Sequence, residues 1–248
     1  MKPVNIGIIG LGRFGKVLAS ILQKGYKVSA FDIENISPLA GVEFCDIEKI
    51  IKEEVIFIAV PIRHFKSLII DIAPKLRKGT TVIDVCSVKS YPVEVMTNSL
   101  SKDIGIIATH PMFGPDSFLT NKKLKMMMHS VNDINNQFNI WKEFFTNQSV
   151  DIIEMSPHEH DRLAAKSQGV THFLGRMLKQ FGIDKTPIDT QGFKDLLDLV
   201  EQTCNDTWDL YTDLQIYNPY TMKIISKLRQ STESLDEQLK ELDNVASR

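Results

Sequence analysis

Six residues, Gly10-Leu11-Gly12-Arg13-Phe14-Gly15, constrain this chain more than any other stretch, because a strand pattern enters them and a helix pattern leaves them. The apolar run Val4 to Ile9 has the character of a short buried strand. Val17, Leu18, Ile21 and Leu22 then recur at helical spacing. Gly10 permits a tight turn, Gly12 lets the backbone approach a diphosphate, and Gly15 allows close helix–strand contact. With Leu11, Arg13 and Phe14 completing the loop, the helix N-terminus supplies amide donors and a partial positive charge. A second strand, Lys27 to Phe31, ends at Asp32, 22 residues after Gly10, where a carboxylate accepts hydrogen bonds from both ribose hydroxyls of an adenosine. Strand, glycines, helix, strand and acid in that order read as a nicotinamide-dinucleotide site. NAD is expected over NADP, because Asp32 would face the 2′-phosphate with like charge.

Further apolar runs at Val55 to Val60, Thr81 to Cys86, Ile104 to Ala108 and Leu124 to Met128 alternate with helix-like segments such as His64 to Leu76. This alternation predicts an α/β fold with a doubly wound, Rossmann-type sheet. Val60-Pro61 closes one strand where a dinucleotide should pass, and Ser87-Val88-Lys89 closes the next. In Thr109-His110-Pro111-Met112-Phe113-Gly114-Pro115 the prolines should stop the strand, leaving His110 at its carboxyl end. Ligands bind at that edge of an open parallel sheet, and histidine accepts a proton near neutral pH. By position alone, Ser87 reads equally as a turn or cap residue and Lys89 as a solvated lysine.

The composition is that of an ordinary globular chain with room for two modest domains: 248 residues, 43% hydrophobic and 24% charged. A net charge of −2 offers nothing to nucleic acid or to an anionic membrane. Cys45, Cys86 and Cys204 are odd in number and widely spaced, which fits neither a disulfide framework nor a zinc site. A strand begins within a few residues of Met1, and no apolar run approaches a membrane span. A cytoplasmic protein is expected.

After Val150 to Glu154 the pattern becomes purely helical, dividing the chain into domains 1–154 and 155–248 near Met155. Ser156-Pro157-His158-Glu159 reads as a helix start with a capping box. Asp161, Gln168, His172 and Arg176 then recur at intervals of seven, four and four as one polar stripe, either solvated or lining a cleft. His158 and His160 should lie exposed in the first turn, and no metal is assigned to them because no acid or cysteine has ligand spacing. Helices from Phe193 to about Tyr217 and from Pro219 to about Val245 should complete the domain. The second carries Ile225, Leu228, Leu235, Leu239 and Leu242 near heptad spacing, so it packs within its own domain or forms a homodimer, which the small core favours.

Taken together, Gly10 to Gly15, Ser87-Val88-Lys89, His110 to Pro115, Glu159-His160-Asp161 and Ser167-Gln168-Gly169-Val170-Thr171-His172 resemble the prephenate/arogenate dehydrogenase family. The likeness is strongest to the plant-type arogenate dehydrogenases. It continues through Thr186 to Thr190 and Asp209-Leu210-Tyr211 to Tyr217-Asn218-Pro219. It implies a nucleotide domain followed by a helical, dimer-forming substrate domain, and oxidative decarboxylation of arogenate to tyrosine or, alternatively, of prephenate to 4-hydroxyphenylpyruvate. By resemblance His110 is the base, Ser87 orients the substrate, Lys89 is a cationic aid, and Gln168 and His172 bind substrate. Thr203 and Asp206, read as sharing one helical face, would recognise the ammonium of arogenate. Where plant enzymes carry a stretch suited to a 2′-phosphate, this chain has Asp32-Ile33-Glu34. A non-catalytic NAD(H) sensor and a β-hydroxyacid dehydrogenase are the competing readings. The first sits poorly with Ser87, Lys89, His110, Gln168 and His172 together, and the second lacks its lysine–asparagine helix.

Overall fold

The computed structural model describes residues 5–34, 39–118 and 123–246. Val4, assigned above to the first strand, lies outside them. The chain divides into two compact units, Met1–His160 and Asp161–Arg248.

The first unit is built on one eight-stranded sheet: β1 (Asn5–Ile9), β2 (Lys27–Phe31), β3 (Val42–Phe44), β4 (Val55–Ile58), β5 (Thr81–Asp84), β6 (Gly105–Pro111), β7 (Leu124–Asn132) and β8 (Val150–Glu154), in the order β3-β2-β1-β4-β5-β6-β7-β8. Six strands run parallel, β7 turns antiparallel to β6, and β8 is parallel to β7. Every residue of β4 and β5 is buried. Continuous apolar runs are what strands covered on both faces require. The covering elements are α1 (Arg13–Leu22), α2 (Ile47–Ile50), α3 (Ile62–Ile72), α4 (Ser90–Ser99), α5 (Pro115–Phe118) and α6 (Gln137–Asn147). Trp141 of α6 is 1% exposed and meets Phe57 of β4 edge to face at 4.9 Å. Such pairs contribute about 0.5–1.5 kcal/mol beyond their burial.

Two features of the sheet depart from the sequence reading. The short edge strand β3 escaped it, because three residues interrupted by Glu43 carry no alternation to detect. The sixth strand also continues past Ala108: its parallel ladder with β5 ends there, but the antiparallel ladder with β7 pairs Thr109 with Met128, His110 with Met127 and Pro111 with Met126. Pro111 stops the strand only at its last pair. His110 is thus held from one side by β7 where β5 has already ended.

The second unit is helical. α7 (Pro157–Ala164) runs into a π-helical turn, Ala165–Gly169, and then α8 (Val170–Phe181), α9 (Gln191–Cys204), α10 (Trp208–Ile216) and α11 (Thr221–Ala246) follow. The single helix expected from Phe193 to Tyr217 is broken at Asn205-Asp206-Thr207, and Thr207 caps α10 by accepting the Leu210 amide at 3.2 Å. Asp206 therefore lies in a turn rather than on a helical face with Thr203. α8 and α9 touch through Gly175, where an added Cβ would fall 1.9 Å from the Thr203 hydroxyl oxygen. No helix among the described residues is long and apolar enough to cross a membrane.

Candidate active site

The glycine turn in the first unit has the shape that an anionic diphosphate needs. Gly10 adopts φ +99°, and a Cβ there would strike the Ala59 carbonyl oxygen at 2.5 Å, which also packs the turn beside Val60. A Cβ at Gly15 would fall 2.1 Å from the Gly10 oxygen, whereas one at Gly12 would meet nothing within 4 Å. Two glycines are therefore required by packing, and the third leaves open space in front of α1. No side chain caps that helix and no acid sits in its first turn. Its amide donors and partial positive charge are left for an anion. Asp32 ties β2 to this turn, accepting the Leu11 amide at 2.6 Å and the Glu34 amide at 2.9 Å. Phe14, on the first turn of α1, contacts Phe113 at 6.0 Å between ring centroids, so the loop after His110 is fixed to the glycine turn. Pro61 is exposed and precedes α3.

The ends of β5 and β6 form a second, drier cluster. Asp84 and Lys89 are both fully buried. The Lys89 ammonium donates to the Asp84 carboxylate and to the Thr109 carbonyl. Asp84 also accepts the Cys86 amide at 3.1 Å, and the Thr109 hydroxyl donates to the Asp84 carbonyl at 2.6 Å. Lys89 is not the solvated lysine that its position alone suggests. It is an internal brace joining the two strand ends, because an ammonium without solvent must find every partner inside the protein. Ser87 is half-buried three residues past β5.

His110 is 5% exposed, and its Nδ1 lies 2.7 Å from Nε2 of His160, itself 4% exposed. The expectation that His160 is a solvated first-turn residue is overturned: His158 is exposed, but two residues on, the helix turns His160 inward. Burial pushes the His110 pKa well below the usual histidine value, and His160 and then Lys89 push it the same way. His110 is therefore neutral and able to accept a proton at physiological pH.

In the second unit the polar stripe carries its own cluster. Gln168 is half-buried on the π turn, whose Gly169 carbonyl accepts the Gln215 side-chain amide at 3.0 Å. Single π turns inside helices recur at functional sites. His172 Nδ1 stands 4.0 Å from the Asp206 carboxylate, and burial lowers the His172 pKa against the opposing pull of Asp206. Arg176 donates to the Asp206 carbonyl and lies 5.7 Å from the Trp208 ring and 5.4 Å from the Tyr211 ring, while its Nε is buried without a partner. Sequence reasoning placed Arg176 on the stripe but did not single it out, since the aromatic platform arrives only through the break between α9 and α10. Thr203 does not join this cluster. It is 2% exposed, donates to the Leu199 carbonyl at 2.8 Å and closes the contact with Gly175.

The nucleotide-binding domain of prephenate dehydrogenase matches residues 23–154, and a C-terminal domain described as TYRAAT1-like matches residues 177–248. Arogenate dehydrogenase 1, chloroplastic, of Arabidopsis thaliana is 34% identical over 250 residues, covering 95% of this chain and 39% of the relative. Arogenate dehydrogenase 2, chloroplastic, of the same plant is 31% identical, covering 96% of this chain and 70% of the relative. A solved prephenate dehydrogenase from A. aeolicus, in complex with hydroxyphenyl propionate and NAD+, aligns with a TM-score of 0.77 at 20% identity, covering 96% of this chain and 91% of that one. The shared feature at that identity is the fold.

Proposed function

This chain belongs to the prephenate/arogenate dehydrogenase family, and we propose that it catalyses oxidative decarboxylation of arogenate to tyrosine. The observation that carries the reading is the buried, neutral His110 on a strand end beside a glycine turn built for a dinucleotide. NAD is the cofactor that the residues fit. Gly12 and the open end of α1 would receive its diphosphate and Asp32 its adenosine ribose, and a 2′-phosphate there would meet Asp32 at a cost of several kcal/mol. When bound, its nicotinamide supplies the hydride acceptor.

The protein's own work is to hold the ring and move one proton. Ser87 orients the ring hydroxyl. As hydride leaves the carbinol carbon, that hydroxyl gives its proton to His110 and the carbinol becomes a carbonyl. Loss of carbon dioxide then returns an electron pair to the ring, and the oxygen takes the proton back to form the phenol. Aromatisation drives the sequence, while the protein contributes alignment and a positioned base. Lys89 serves through Asp84 and Thr109, bracing the strand that carries His110. Gln168 and Arg176 hold the substrate, Arg176 through charge-assisted hydrogen bonds to a carboxylate.

Arogenate and prephenate differ only at the side chain, an ammonium in one and a ketone in the other. Asp206 reads that difference, since an ammonium would complement its carboxylate, which stands 4.0 Å from His172, and a ketone would not. Changing Asp206→Asn should reduce the preference for arogenate by about 1.5–3 kcal/mol, the contribution of a hydrogen bond to a charged group. The ratio of kcat/KM for the two substrates measures this, and a ratio equal to wild type removes Asp206 from the specificity reading.

The partner we propose is a second copy of this chain. Ile225 is buried within its own unit, but Met222, Leu235, Leu239 and Leu242 of α11 are 60–66% exposed. Apolar residues at this spacing on one long helix are suited to burial against an identical helix.

A further inference from the structure

His110 has two ring nitrogens, and among the described residues a partner is identified for Nδ1. Its Nδ1 meets His160 Nε2 at 2.7 Å with the rings nearly perpendicular at 80°. A single proton can occupy the line between two imidazole nitrogens. If His110 carries it, His110 Nε2 is a bare lone pair. If His160 carries it, His110 Nε2 must bear hydrogen and cannot take another proton without rearrangement.

We propose that His160 is a positioning residue that fixes His110 as the Nδ1–H tautomer, leaving Nε2 to accept the substrate's hydroxyl proton. This deepens the reaction proposed above and rests on it. In the step, the proton leaves the hydroxyl oxygen, lands on His110 Nε2, and later returns to the phenol oxygen. The Nδ1 proton stays in the bond to His160 throughout. His160 touches no reacting atom.

Burial makes the arrangement decisive. Both rings are at most 5% exposed, so no bulk water substitutes for His160 as the acceptor of Nδ1–H. The groups that act on His110 are the His160 ring and the Lys89 ammonium, which pairs with Asp84. A carboxylate in the place of His160 would orient the ring equally well but would stabilise its protonated form. An imidazole in that place orients His110 without bringing a negative charge that would stabilise its protonated form. Which nitrogen of a catalytic histidine is free follows from the bond the other one makes, and here that bond is to a second histidine.

Nitrogen-15 NMR of the imidazoles near neutral pH, together with turnover of His160→Leu and His160→Gln, tests the assignment. In wild type, His110 should show a protonated Nδ1 and an unprotonated Nε2. His160→Leu should lose that tautomeric preference and about 10²-fold in kcat, the low end of what a positioned base contributes, with the KM for substrate and the Kd for NAD+ unchanged. His160→Gln, whose Oε1 can accept from Nδ1–H, should keep the tautomer and most of the turnover. A protonated Nε2 in wild-type His110, or a Gln variant as slow as the Leu variant with the His110 tautomer intact, overturns the proposal. If His160→Leu does not fold, the wild-type spectrum decides alone. Absence of turnover with both arogenate and prephenate would defeat the proposed reaction but leave the tautomer measurement standing.

Discussion

Replacing His110 with asparagine should lower kcat by about 10²–10⁴, the range a positioned general base supplies, while the Kd for NAD+ stays at its wild-type value. The two halves of this result come from the separation of duties within the first unit. The dinucleotide features are backbone features: the Gly10 turn, the open space at Gly12 and the uncapped end of α1. None depends on the imidazole, which sits at the end of β6 and bonds His160. Stopped-flow turnover and calorimetric titration of NAD+ separate the two effects, and a parallel loss of both would mean that His110 organises the fold rather than the chemistry. The pH dependence of the wild-type enzyme carries a companion sign. Burial, then His160, then Lys89 disfavours the imidazolium, so the neutral base persists as pH falls through 6.5, and the acid limb of kcat/KM should lie below that ordinary histidine value.

Changing Lys89→Met should destabilise the protein by about 3–5 kcal/mol, because it leaves the Asp84 carboxylate buried with its cation removed. That is a large fraction of the 5–15 kcal/mol that holds a typical domain together. In a unit of this size it corresponds to a fall in Tm of roughly 2–4 °C per kcal/mol. Burial already pushes the Asp84 pKa up, and Lys89 is the first influence opposing it. Without Lys89 the folded-state pKa rises further above the unfolded value. A group so shifted favours the folded state at low pH and loses that contribution as pH rises, so the variant should be most impaired at alkaline pH. Combining Lys89→Met with Asp84→Asn should recover part of the loss, since neither charge then remains buried. Thermal melts of the three proteins across pH provide the check. A Lys89→Met protein with a wild-type Tm would show that the brace contributes nothing.

What could be read from the residues alone follows a physical division. The glycine turn, Asp32 and the alternation of strands and helices were legible because they rest on local backbone needs and on periodicity, which adjacent residues express. The burial of Lys89 and His160 was not, because the partners that make burial tolerable lie 5 and 20 residues from Lys89 and 50 from His160. A polar residue in a first helical turn looks solvated until the fold brings another strand beside it. The break at Asn205-Asp206-Thr207 carried a signal in the N-cap Thr207, but the apolar spacing on either side of it read as one helix. The π turn at Ala165–Gly169 left no trace of its own in the spacing, and Thr203 and Asp206 were paired on a face that the broken helix does not possess. The strand around His110 was read only as far as Ala108, whereas the antiparallel ladder with β7 carries it on to Pro111, since a one-sided ladder tolerates a proline at its end.

The central claim is that this chain oxidises and decarboxylates arogenate with NAD+, and product balance measures it most directly. Purified protein given arogenate and NAD+ should form reduced nicotinamide, carbon dioxide and tyrosine in equal amounts, faster than it forms 4-hydroxyphenylpyruvate from prephenate and with a higher kcat/KM for NAD+ than for NADP+. Reduced nicotinamide appearing without carbon dioxide, or no reduction with either substrate, would contradict the account.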